Sequence, residues 1–175
     1  TIMYDSYSKW IKSYRDLPLR LNQWNNVVRW EFKHSTPFLR SREFLWQEGH
    51  TAFATKEEAD AERDTILDIY YSSMKEQMAL YGIKGRKSDK EKFAGAQATY
   101  SIECFLESGK AIQGPDFHND GQNFAKAFDI KYFDENENLN YVYQNTYAIT
   151  TRMIGVMIMA HSDNKGLVIP PRLAE

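Results

Sequence analysis

The chain has 175 residues and a formal net charge of -2, enough length for one domain with its own core and too little charge for a bulk electrostatic coat on nucleic acid, though a local basic patch stays open. Its single cysteine, Cys104, excludes an intrachain disulfide and a cysteine-cluster zinc site, and fits a reducing, intracellular setting. No signal-peptide pattern or apolar run of membrane-spanning length occurs, so no membrane partner is expected.

In chain order, residues 2–14 place Ile2, Met3, Tyr7, Trp10, Ile11 and Tyr14 at spacings of three and four, which predicts an amphipathic helix. Residues 15–18 end it. Residues 19–24 read as a short strand and Asn25-Asn26 as a bend. Val27, Val28, Trp30 and Phe32 begin an apolar run suited to a pleated surface. Residues 33–37 break it, because Pro37 cannot donate to a sheet ladder. A second strand follows at Phe44-Leu45-Trp46.

Thr55, with Glu58 three residues on, is a capping-box start for a helix over about residues 56–81. Its inward stripe is Ala59, Ile66, Ile69, Tyr70 and Met74, and Gly82 is its C-cap. Residues 84–87 read as a basic loop and residues 88–92 as a turn of helix. Residues 98–106 and 110–113 read as strands joined by Ser108-Gly109. A short helix over residues 121–128 precedes strands at 129–133 and 141–146, which flank an acidic, Asn-rich loop. Residues 152–161 read as an apolar helix despite Gly155, and residues 166–169 as a last strand. Helices interleaved with hairpins define the α+β class, an antiparallel or mixed β-sheet flanked by helices. No internal repeat is present.

Three groups of residues could carry chemistry. The first is Arg29, Glu31, Arg40, Arg42, Phe44, Trp46, Glu48 and His50. Residues two apart on a strand share a face, so a hairpin here would gather cations, carboxylates and rings on one surface. Guanidinium groups there could pair with phosphate or carboxylate, and Phe44 could stack on a planar ring. A solvated outer face with cross-strand ion pairs suits the same periodicity equally well. The second group is Thr150-Thr151-Arg152 at a helix start, where an Arg can reach an anion or serve in a simple cap. The third, residues 113–118, holds Asp116 and His118, a weak metal pair without a third ligand. His34, His50, His118 and His161 are too scattered for a metal site, and none is expected. No phosphate-binding glycine loop, nucleophile elbow or HExxH motif occurs.

The stretch RWEFKHSTPFLRSREFLWQEGHTAFAT resembles motif 2 of the class II aminoacyl-tRNA synthetases, in the form typical of prolyl-tRNA synthetases of the archaeal/eukaryotic type. YAITTRMIGVMIMAHSDNKGLVIPPR resembles motif 3 and the run out of that catalytic domain. KGRKSDKEKFAGA, TYSIE and GQNFAKAFDI, lying between, are similar to the same family, so the resemblance covers essentially the whole chain in order.

The resemblance implies the class II catalytic-core fold and a two-step reaction. Proline and ATP give prolyl-adenylate and pyrophosphate, and the prolyl group then passes to tRNA(Pro). Both steps call for charge stabilisation and placement rather than a protein nucleophile. It also implies roles. Arg29 would hold the α-phosphate and the proline carboxylate. Glu31 would accept from the adenine amino group, and Arg40 would contact the outer phosphates. Phe44 would stack on adenine, with Arg152 on its other face or on the γ-phosphate. Gln113 and Thr150 would contact ribose and adenosine. Trp46, Glu48, His50, Phe93 and His118 would surround the proline ring. Mg²⁺ would arrive with ATP. The resemblance further implies a cytoplasmic protein and a homodimer at full length.

The sequence departs from the family pattern at two places. Gly114-Pro115-Asp116-Phe117-His118 stands where the family has a small Gly-Thr-Ser-His run, which puts Asp116 and Phe117 near the substrate. Thr146-Tyr147-Ala148 stands where it has Ser-Trp-Gly. The first departure supports an alternative, a non-catalytic paralogue that binds nucleotide, amino acid or RNA. Motif 1, most of the loop that grips the proline amine and the anticodon-binding domain have no counterpart here; Thr1 would be at most the last residue of that loop. Residues 1–175 are therefore expected to be a catalytic-core segment that exposes apolar surface meant for other parts.

Overall fold

The structure is a computed structural model that describes residues 2–30 and 34–174. Thr1 and Glu31 lie outside the described residues, as do Phe32, Lys33 and Glu175. Six strands form one antiparallel sheet: β1 (Leu19–Val28), β2 (Glu43–Phe53), β3 (Gly82–Arg86), β4 (Ala98–Phe105), β5 (Ala111–Gly121) and, last in the chain, Tyr143–Thr150. A small hairpin of β6 (Lys131–Phe133) and β7 (Leu139–Tyr141) stands apart, so Tyr143–Thr150 is β8. The order across the large sheet is β1-β2-β8-β5-β4-β3. Among the described residues four helices flank it: α1 (Ile2–Trp10), α2 (Lys56–Met78), α3 (Asn123–Ala127) and α4 (Arg152–His161). The α+β class and the flanked antiparallel sheet are as the sequence reads.

Helix α2 starts where the capping box places it. The Thr55 hydroxyl accepts from the Glu58 N–H, and the Glu58 carboxylate accepts from the Thr55 N–H. Its inward face differs from the expected stripe: Leu67 is buried while Ile69 is 54% exposed. The helix ends earlier than expected. Ala79, in the left-handed region at φ 51°, is its cap, and Gly82 opens β3 instead. The expected basic loop at 84–87 is thus largely an edge strand, in which Lys84 and Arg86 pair with β4. Helix α1 is also shorter than expected; a 3-10 turn at Tyr14–Asp16 follows it.

Strand β1 does not bend at Asn25-Asn26. It runs on to Val28, because both side chains find cross-strand partners on β2: Asn25 accepts from the Trp46 indole and Asn26 donates to Glu43. The loop of the hairpin therefore begins at Arg29, not at Lys33. Strand β5 also runs on beyond the strand expected at residues 110–113, to Gly121. Pro115 is tolerated in this central strand because the register with β4 shifts there, between Ser101 and Glu103. Residues 166–169 form no strand; an isolated bridge joins Asp163 and Gly166.

Two cores result. Leu67, Tyr70 and Met74 of α2 pack with Ile102, Phe117, Tyr147, Met153 and Val156. Tyr4, Tyr7 and Ile11 pack with Ala52, Ile130 and Val142 around the end of the sheet that α1 and α3 cover. Buried Glu62 ties α2 to three strands, accepting from Arg20, Thr51 and Asn145. This anchor holds α2 on one sheet face and leaves the upper part of the other face for the site. At the β1 edge Trp24, Val28, Trp30 and Leu45 are exposed. No helix among the described residues is long and apolar enough to cross a membrane.

Candidate active site

Alternation along β2 sends Phe44, Trp46, Glu48 and His50 to the face away from α2, while the Gln47 side chain accepts from the Tyr70 hydroxyl behind the sheet. Strand β8 lies between β2 and β5. Its Thr150, Ala148 and Thr146 align with Trp46, Glu48 and His50, and Ala148 and Thr146 align with Asp116 and His118. Rings, imidazoles and carboxylates thus share one surface across three strands rather than within the hairpin alone.

At the loop end of this surface is a pocket of about 160 Å³ lined by Arg29, Arg40, Phe44, Trp46, Gln113, Thr150 and Arg152, with Asp116 and Ala148 in its wall. The hairpin loop folds over it. Arg29 N–H donates to Arg42 O at 2.7 Å and closes the loop neck, while Thr36 and Arg40 pair backbone to backbone at the tip. Arg29 lays its guanidinium carbon 5.2 Å from the Phe44 ring centre. Arg152 reaches from the start of α4, donating through Nε to Leu39 O at 3.1 Å and through an Nη to Gln113 O at 3.5 Å. Burial lowers the Arg152 pKa from its ordinary value, the positive charges of Arg40 and Arg29 push the same way, and Asp116 opposes them. A cluster of three guanidinium groups with one carboxylate beside it suits an anion with several oxygens.

The remaining predicted residues sit in the next rows. Glu48 Oε2 is 3.1 Å from His50 Nε2 and accepts from Gln23 at 2.7 Å. Burial works against ionisation of Glu48, but its hydrogen bonds from His50 and Gln23 outweigh burial and hold it below the usual carboxylate range. His118 packs on Phe93 with ring centres 4.9 Å apart, and its Nδ1 lies 2.9 Å from the Thr99 hydroxyl, which also accepts from the Phe93 N–H. Burial lowers the His118 pKa, with Asp116 opposing. On its other side His118 Nε2 lies 3.6 Å from Asp116 Oδ2. Of the residues expected at the site, Glu31 alone falls outside the described residues.

Two expectations about the departures separate. Asp116 does face the pocket, where burial raises its pKa against the pull of His118 and Lys87. Phe117 does not: fully buried, it stacks on Tyr147 behind the sheet with planes 5° apart. It fills the core, because adjacent strand residues point to opposite faces. Lys87, which donates to the Gln113 side chain, and Asp120, which accepts from Tyr4 at 3.2 Å, are site neighbours that the sequence reading passed over. The signal for Asp120 was its spacing of two from Asp116 and His118 along β5; Lys87 follows β3 and had none.

No group of three or more His, Cys, Asp or Glu able to hold a metal occurs among the described residues. The arginine-rich lining fits phosphate oxygens rather than a protein-held cation.

The arrangement is that of a class II synthetase core. The chain belongs to the tRNA synthetase class II core domain (G, H, P, S and T) family, which matches residues 1–161. It is 61% identical over 99% of its length to the bifunctional glutamate/proline–tRNA ligase of Drosophila melanogaster, covering 10% of that protein. It is 57% identical, again over 99% of its length, to the cytoplasmic proline–tRNA ligase of Arabidopsis thaliana, covering 33% of it. Prolyl-tRNA synthetase from Cryptosporidium parvum, solved with L-proline and AMP, superposes with a TM-score of 0.96 at 54% identity, over 99% of this chain and 36% of that one. The chain thus spans from a tenth to about a third of the length of the relatives it matches.

Proposed function

We propose that this chain is the ATP- and proline-binding part of a proline–tRNA ligase catalytic domain. It activates proline with ATP to prolyl-adenylate and pyrophosphate, for transfer to tRNA(Pro). The observation that carries the reading is the shared pocket of Arg29, Arg40, Phe44, Gln113, Thr150 and Arg152, with the polar rows of Glu48, His50 and His118 directly beside it. Likeness to proline–tRNA ligases over 99% of the chain supports the choice of amino acid.

In this reading adenine stacks on Phe44 and meets Glu31. Gln113 and Thr150 take the ribose side. Arg29 bridges the α-phosphate and the proline carboxylate, so that the attacking oxygen and the phosphorus meet in a fixed geometry. Arg40 and Arg152 draw charge toward the departing pyrophosphate. The proline ring lies among Trp46, Glu48, His50, Phe93 and His118. Mg²⁺ comes with ATP, held by phosphate oxygens, and no step is assigned to it.

The parent protein is read as a cytoplasmic homodimer acting in protein biosynthesis; the exposed Trp24, Val28, Trp30 and Leu45 at the β1 edge support a covered surface there. The chain by itself is read as weak or inactive in tRNA charging. Proline-dependent exchange of pyrophosphate into ATP by the full-length protein tests the assignment. A second reading, a non-catalytic synthetase-like binder, has one supporting observation, the carboxylate of Asp116 in the pocket wall. Binding of ATP with no proline-dependent exchange would favour it.

A further inference from the structure

We propose that Lys87 is a positioning residue for the nucleotide: its ammonium holds the Gln113 side chain so that this amide offers an N–H, and not its carbonyl, to an oxygen of the bound nucleotide. The inference rests on the ATP-dependent activation read above and adds to it a residue from outside the pocket lining.

Strand pairing places Lys87. Its N–H donates to Thr99 O at 2.9 Å, which extends the pairing of β3 with β4 one residue past Arg86 and Tyr100. Thr99 in turn aligns with His118 on β5. Directly opposed residues share a face, so Lys87 points to the side of the sheet that carries His118 and the pocket. Lys84, three residues back, points to the other side and pairs with the Asp68 carboxylate of α2. Lys87 instead gives its ammonium to a neutral amide, the Gln113 Oε1. Ordering a long lysine side chain costs rotamer freedom, and here the ordered side chain ends on a residue of the pocket wall.

The amide has one carbonyl oxygen and two N–H groups, and an ammonium can only donate. Lys87 therefore fixes Oε1 on its own side. Nε2 donates to Asp116 Oδ2 at 2.9 Å. With both ends held, the second N–H is the group Gln113 has left for a ligand. The Gln113 main chain is held independently, its carbonyl accepting from an Arg152 Nη at 3.5 Å. Lys87 also acts on the carboxylate that anchors Nε2: burial raises the Asp116 pKa, and the charges of His118 and Lys87 work against that rise. Without Lys87 the amide is free to turn its carbonyl into the pocket, where it meets phosphate oxygens that only accept.

The test is proline-dependent pyrophosphate exchange by the full-length protein, for the native protein, Lys87→Met, Lys87→Arg, Gln113→Met and the double variant Lys87→Met/Gln113→Met. Thermal unfolding checks that each folds. Lys87→Met is expected to raise KM for ATP about tenfold, the scale of a lost hydrogen bond to a charged group, with KM for proline nearly unchanged. Lys87→Arg keeps a donor and a charge and is expected to return KM for ATP to within about threefold of native. In the Gln113→Met background, removing Lys87 is expected to change KM for ATP by less than about twofold, because the residue it acts through is gone. Additive effects of the two substitutions, equal rises in KM for ATP and proline, or a native KM for ATP in Lys87→Met would each overturn the proposal. Absence of exchange by the native protein would overturn the activation reading instead. Equilibrium titration of the same proteins with ATP then reads the same cycle in Kd, and additivity there would overturn this proposal as well.

Discussion

The guanidinium of Arg29 covers the Phe44 ring, its central carbon 5.2 Å from the ring centre, although Arg29 opens the hairpin loop and Phe44 lies past its end in β2. The pair meets because the loop neck closes at Arg29 and Arg42. One side chain thus ties the anion end of the pocket to its flat apolar wall. Base–aromatic stacking is worth about 1–3 kcal/mol by alanine substitution. Phe44→Ala is accordingly expected to raise KM for ATP roughly 5- to 150-fold at that energy, with a much smaller change in KM for proline. Equal changes in both would contradict the stacking role. Initial rates of exchange at varied ATP and proline separate the two.

Arg152 binds the loop and β5 together through the carbonyls of Leu39 and Gln113 while its charge stays in the pocket. Arg152→Lys keeps a cation but loses the planar fork. Removing one charge-stabilising donor typically costs about 10²–10³ in kcat. Arg152→Ala is expected to lose that much in proline-dependent exchange, and Arg152→Lys to recover only part of it.

Burial raises Asp120 to about 7, against about 3.9 for an unfolded Asp. The folded protein keeps this proton while the unfolded chain has released it. The group's contribution to stability is therefore whole below about pH 4, falls as the pH rises toward 7 and is flat above. Asp120→Asn removes that slope and keeps an acceptor for Tyr4. The variant is expected to melt at a higher temperature than the native protein at pH 8, and the difference is expected to shrink toward pH 4. Glu48 has the opposite sign: its depressed pKa stabilises the fold above about pH 4.3 and is lost on acidification. A melting difference that does not change with pH would contradict the burial of an uncharged Asp120.

Local chemistry was legible in the sequence wherever it is local in the fold. The Thr55–Glu58 box, the start of α4 at Arg152 and the alternation from Phe44 to His50 each rest on residues a few positions apart. What escaped the sequence depends on partners far along the chain. Asn25 and Asn26 look like a bend until Trp46 and Glu43 hold them in a strand. Pro115 looks like a strand breaker until the shift in register beside it is known. Leu67 and Ile69 are two residues apart on one helix, and which of them faces the sheet is fixed by how α2 docks through Glu62. The facing of Asp116 and Glu48 across Ala148 is a property of register alone, which spacing within β2 or β5 does not determine.

The division between Asp116 and Phe117 yields a prediction of its own. Phe117 stacks on Tyr147 at 5.7 Å in the α2 core, away from the pocket. Phe117→Leu is expected to lower stability by about 1 kcal/mol and to leave KM for proline and ATP within about twofold. Gly49 meets the same Tyr147 ring, because a Cβ there would lie 2.0 Å from its nearest atom. Gly49→Ala is expected to cost about 1–3 kcal/mol by overpacking. Thermal unfolding with kinetics on the same samples checks both.

The account depends most on Arg29 joining phosphate and amino acid in one pocket. The direct measurement is proline-dependent exchange of pyrophosphate into ATP by the full-length protein and by Arg29→Ala. The expected result is exchange that requires both proline and ATP, lost by a factor of about 10² or more in the variant while its unfolding temperature is unchanged. Exchange that survives in Arg29→Ala, or a native protein that binds ATP and shows none with proline, would contradict it.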